Sequence, residues 1–172
     1  KIKYTDSAFP GVATARLTFD SEQFRSNPTV SFDWLGFNQI HVPQNYDAIT
    51  KTYSGLFNGV LKKTYSTNPA WALWEVLTNP IWGFNIPAAS LDIYSFYSLG
   101  QQCDELVPNG EGGQHPRFQF DERWENTGDQ YEVMKAIASS MNAQFYEQSG
   151  SIVMKADTYD DYTQVYGPAN VI

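Results

Sequence analysis

The sequence predicts an α+β fold: a β-rich N-terminal part followed by a helix–helix–strand–helix–hairpin unit. Three observations carry this. Apolar and polar residues alternate through much of the first third, the pattern changes to helical spacing at Asn68, and strand, helix and hairpin signals follow in turn between 117 and 156. The change of pattern puts a boundary near 66/67. That gives portions 1–66 and 67–172, or one domain if the two share a core.

Each element has its own signal. From Val12 to Phe19, Ala13, Ala15, Leu17 and Phe19 share one side of a half-buried strand. Asn27-Pro28 marks a turn, and Thr29 to Val42 reads as a long or bulged strand, irregular at Gly36. After a loop from Pro43 to Asp47, Tyr53 to Tyr65 reads as a strand pair around the Asn58-Gly59 turn. Asn68 is a good helix N-cap and Pro69 suits the first helical position, where its missing N–H would be unpaired anyway. Ala70, Trp71, Leu73, Trp74 and Leu77 form the buried stripe, and Asn79-Pro80 stops it.

Ser90 can cap a second helix whose apolar face is Ile93, Phe96, Tyr97, Gly100, Cys103 and Leu106. Gly100 inside that face costs about 1 kcal/mol against Ala, which a close crossing of backbones would explain. Pro108 to Gly113 is a flexible turn without the Lys-Ser/Thr of a phosphate loop. Arg117 to Trp124 alternates as a strand. Thr127 to Gln130 fits a capping box for a third helix with Tyr131, Met134, Ile137, Ala138 and Met141 on one face. A hairpin across Gln148-Ser149-Gly150 closes the unit.

Composition narrows the function classes. The chain has 172 residues, 11 basic and 19 acidic, for a net charge of −8, so a phosphate backbone or an anionic membrane is repelled. Lys62-Lys63 is an isolated basic pair. A single cysteine, Cys103, excludes an internal disulfide and a cysteine-based zinc site. No apolar run approaches the ~18 residues of a membrane span. The chain opens on Lys1 without Met and closes on Asn170-Val171-Ile172, and the expectation is a piece of a longer polypeptide. Aromatic residues reach 16%, a share that suits either a core or an interaction surface.

No constellation points to catalysis, and the expectation is no enzyme, no catalytic residue, no metal and no cofactor. His41 sits in a strand context and His115 in the Gly-rich turn, neither beside a nucleophile motif. Cys103 reads as a small buried hydrophobe. Asp157, Asp160 and Asp161 lack the glycine and distal glutamate of a calcium loop. Acid pairs such as Asp121/Glu122 or Glu105/Glu111 would need a separation in space to suggest glycoside hydrolysis.

Six landmarks remain, in order: V-P-x-N-Y-D from Val42, Y-x-G from Tyr53, N-P-A-W from Asn68, N-P-x-W-G from Asn79, G-Q-x-C-D from Gly100 and V-P-x-G from Val107. With the surrounding runs 39–59, 68–84 and 92–117, they resemble the central region of the tail-tip attachment, or host-specificity, protein J family of lambda-like tailed phages. Agreement is looser over the first 28 residues. The resemblance implies a structural module similar to baseplate-hub domains, at the virion tail tip and made and assembled in the bacterial cytoplasm. Implied partners are other copies in a trimeric ring and neighbouring tail-tip proteins, with the host receptor met mainly outside this segment. It also implies that parts of the parent chain complete strands of portion 1–66. Trp71, Trp74 and Trp82 would then be packing anchors, and Pro43, Pro69 and Pro80 boundaries. The competing reading is a carbohydrate-binding or glycan-cleaving module with exposed aromatics in a groove.

Overall fold

A computed structural model describes residues 22, 26, 29, 39–121 and 129–158. Backbone contacts divide the chain into compact units 1–35 and 36–172, and every described element belongs to the second. The expected strand 12–19, most of 29–42 and positions 122–128, 160 and 161 lie outside the described residues.

The unit opens with a nested hairpin. β1 (Ile40–Pro43) pairs antiparallel with β4 (Leu61–Thr64), and inside it β2 (Tyr46–Asp47) pairs with β3 (Thr52–Tyr53). The expected pairing across Asn58-Gly59 is therefore corrected. Gly59 does take the left-handed backbone expected of it (φ +82), yet it lies in a loop between β3 and β4, which pair with different strands. The Asp47 carboxylate accepts from the Ile49 and Thr50 N–H groups and makes the tighter turn that closes the inner pair.

α1 (Pro69–Thr78) follows, with Asn68 as N-cap and Asn79 as C-cap, as the sequence predicts. Ala70, Trp71, Leu73, Trp74 and Leu77 are all buried, and they form the centre of the core. Beyond Asn79 the chain folds back, so that Phe84 and Ile86 N–H groups donate to the otherwise orphaned Val76 and Leu77 carbonyls. A Cβ on Gly83 would meet the Val76 oxygen at 2.4 Å, so only glycine allows this return.

α2 (Ile93–Cys103) is capped by Asp92, whose carboxylate accepts from Tyr94 N–H. Ser90 instead sits in a 3₁₀ turn (Ala88–Ser90). The buried face is Phe96, Leu99, Gly100 and Cys103. Leu106 lies past the helix end, in β5 (Leu106–Pro108), and is exposed. β5 pairs with β6 (Gln114–Pro116), and Asn109 organises their turn by accepting from the Glu111 and Gly113 N–H groups. The alternation at 117–121 does not form a strand: its backbone N–H groups donate to scattered carbonyls and not along one partner strand, Arg117 to Glu105, Phe118 to Cys103 and Phe120 to Thr67. Phe118 and Phe120 still turn toward the core.

α3 (Gln130–Ser140) begins at Asp129, two residues after the expected cap, and buries Val133, Met134, Ile137 and Ala138. Tyr131 is exposed, its ring edge-on to Phe145. β7 (Ala143–Gln148) and β8 (Ser151–Ala156) form the predicted hairpin, with Ser149 and Gly150 both left-handed as a tight two-residue turn requires. The first turn of α2 closes the outer edge of β8. Asp92 N–H donates to the Ile152 carbonyl, and Ser95 Oγ accepts from Met154 N–H. The described sheets are thus four two-stranded ribbons around three helices.

Candidate functional site

A buried polar knot lies where the nested hairpin meets the start of α1 and the end of α2. Asp104 caps the C-terminal end of α2 and is 6% exposed. Its Oδ2 accepts from Tyr53 Oη–H at 2.9 Å and from Asn68 Nδ2 at 2.6 Å. The same Asn68 amide donates to the Gly100 carbonyl at 2.8 Å, while its oxygen accepts from Ala70 N–H. Trp71 Nε1–H donates to the Tyr53 hydroxyl at 3.2 Å.

Gly100 is what lets these groups meet. A Cβ there would stand 2.7 Å from Trp71 Nε1 and 3.1 Å from the Tyr53 oxygen. At the rim, Tyr46 pairs with Ser66, Asn45 donates to Tyr97 and to the Gly55 carbonyl, and Lys51 Nζ donates to Thr67. Burial raises the Asp104 pKa, against the hydrogen bonds from Asn68 and Tyr53 and the charge of Lys51. Burial likewise raises the phenols of Tyr46 and Tyr53, and it pushes the Cys103 thiol up to about 12. The two phenols and the thiol therefore stay protonated near neutral pH, and the buried thiol is not a nucleophile there.

A second buried acid, Glu75 at 2% exposure, lies one turn along α1 from Trp71. Its Oε2 accepts from His41 backbone N–H at 3.0 Å and contacts His41 Nδ1 at 2.6 Å, while Oε1 accepts from Asn79 at 2.8 Å. Burial works to raise this carboxyl, but the hydrogen bonds from Asn79 and His41 outweigh it and hold it below the usual range. The carboxylate also occupies an outward N–H of β1, which blocks strand addition at that point.

The candidate residues stay apart. His41 is tied to Glu75, whereas exposed His115 hydrogen-bonds the neighbouring Pro116 carbonyl. Cys103 is fully buried, as the sequence predicts, with Met141 Sδ at 3.9 Å. Glu105 pairs with Arg117, and Glu111 is exposed in the β5–β6 turn. No group of His, Cys, Asp or Glu that could hold a metal occurs among the described residues. Trp71 and Trp74 are inaccessible to a sugar, and Trp82 is half-buried. Two shallow depressions flank the β7–β8 hairpin. One, near Leu91 and Tyr94, holds the single carboxylate of Asp92, and the other, near Ser98 and Gln102, holds none. Neither offers the carboxylate pair that glycoside cleavage needs.

Sequence reasoning quoted Tyr53 and Asp104 only as landmark residues, with no role in a site, and missed Glu75. Two signals point to the acids. An acid at a helix C-terminus opposes the helix dipole, so Asp104 needs specific partners. Glu75 lies four residues after Trp71, on a buried helical face, where a carboxylate must be hydrogen-bonded.

Four of the six landmark motifs converge on the knot: Asn45 and Tyr46, Tyr53 and Gly55, Asn68 and Trp71, Gly100 and Asp104. The other two shape turns, at Asn79–Gly83 and at Asn109–Gly110. No family model matches the chain. The chain is 32% identical over 167 residues to the tip attachment protein J of Escherichia phage SECphi27, covering 95% of this chain and 14% of that protein. It is 34% identical over 133 residues to the protein of the same name from Escherichia phage SECphi4, covering 76% of this chain and 12% of the relative. The chain thus spans a small fraction of the length of these relatives.

Proposed function

Because the chain belongs to the tip attachment protein J family over the segment it spans, we propose that it is a rigid structural module of a phage or prophage tail tip, acting in tip assembly and host attachment without catalysis. The observation that carries this reading is the relationship along nearly the whole chain, and this chain's own landmarks serve packing, caps and turns. Its partners are further copies of the parent protein, in a ring of three, and neighbouring tail-tip proteins. A closed ring needs two different surfaces that fit each other head to tail. Exposed apolar side chains supply material for such contacts, above all Ile49, Leu56 and Ile81, each at least 86% exposed.

The test is genetic and structural together. The region encoding this segment is removed in frame from the parent gene of the source phage or prophage, and the particles are imaged and assayed for adsorption. The expected outcome is tails with absent or malformed tips that do not adsorb. Particles with normal tips and normal adsorption would refute the proposal.

A further inference from the structure

One oxygen of the buried Asp104 carboxyl is fully engaged and the other is not. Oδ2 holds Tyr53 and Asn68, whereas Oδ1 is enclosed without a hydrogen-bond partner. An ionised carboxylate in that position calls for a counter-charge. The titratable groups facing it are the phenols of Tyr46 on β2 and Tyr53 on β3, the Cys103 thiol on α2, and the Lys51 ammonium on the β2–β3 turn. Asp47 acts on the same cluster through Tyr46. Among the described residues, Lys51 is the one cation of the set. It rests on a neutral hydroxyl, Thr67 Oγ1, at 3.0 Å, and its backbone is left-handed (φ 54), a conformation that disfavours a lysine.

We infer that Lys51 is a movable counter-ion for Asp104: its ammonium stays on Thr67 while the carboxyl is protonated and swings to Oδ1 when the proton leaves for solvent, carrying the β2–β3 turn with it. Burial makes Asp104 hold its proton to higher pH than an ordinary aspartate, so the exchange falls above the usual aspartate range. Ile49, 93% exposed, sits on the same turn and moves between the two positions.

The test is a pH titration of the isotope-labelled 172-residue chain by NMR, following the Asp104 carboxyl carbon and the amides of Lys51, Thr52 and Thr67. In the wild type these amides shift with the Asp104 midpoint. Asp47, which hydrogen bonds from Thr50 and Ile49 hold below the ordinary range, titrates at lower pH and is separated from that step. Lys51→Met moves the Asp104 midpoint to higher pH and abolishes the shared step in Thr52 and Thr67. Asp104→Asn retains an acceptor for Tyr53 and Asn68, keeps the fold, and also abolishes the step. Amides that ignore the Asp104 midpoint, or a midpoint unmoved by Lys51→Met, overturn the inference.

Discussion

Two buried carboxylates, one bonded to each cap of α1, push stability in opposite directions as pH changes. The Asp104 pKa is raised in the folded chain, so its contribution is complete below the unfolded aspartate value of about 3.9 and is lost as pH rises through the folded value. Glu75 is depressed, so its contribution is present above about 4.3 and is lost as pH falls through its folded value. Asp104→Asn is therefore expected to flatten the alkaline side of a stability–pH curve with little loss near pH 7. Glu75→Gln is expected to flatten the acid side. Denaturant melts across pH 2 to 8 check both. Gly100→Ala drives a methyl into the Trp71 indole and is expected to cost about 1–3 kcal/mol, read from the same melts. The sequence makes Gly100 legible as a close crossing. Asp104 is not, because its partners lie 36 and 51 residues away and no local pattern encodes them.

At the scale of elements, local signals are reliable where the determinant is local. Asn68-Pro69 and Asn79-Pro80 bracket α1, and Ser149-Gly150 closes its hairpin, because a cap or turn needs only a few adjacent residues. The misplaced elements needed remote information. Tyr53 to Tyr65 contains a sound Asn-Gly turn, yet the partner of β4 is β1. Ser90 is a plausible cap two residues too early, since Asp92 docks on β8. Asn68 serves as helix cap and knot donor at once. Asn68→Ala should thus cost more than the ~1 kcal/mol of an ordinary cap. A double-mutant cycle with Asp104→Ala, which removes the acceptor, is expected to show coupling of at least ~0.5 kcal/mol, and additive effects would contradict the knot.

For the whole molecule, the α+β composition is legible in the sequence, whereas the arrangement of the described strands into separate ribbons is not. Ribbon pairing depends on which helix face each strand meets. The net charge of −8 sets copies of this segment against one another, and contacts in the proposed ring would be reinforced by neighbours at high effective concentration. The 172-residue chain alone is therefore expected to be a monomer or weak oligomer in light scattering. A tight two-fold dimer would contradict a head-to-tail ring.

The knot also has a kinetic consequence. Its bonds close loops of 36 and 51 residues, whereas the flanking caps and hairpins close over a handful. Such distant ties assemble late, after the local pieces have formed, because their loop-closure entropy is offset only once both ends are in place. Removing the Tyr53 hydroxyl with Tyr53→Phe should accordingly hasten unfolding in a chevron experiment while leaving the refolding limb nearly unchanged. The lifetime of the folded chain, more than the speed of its making, rests on that junction.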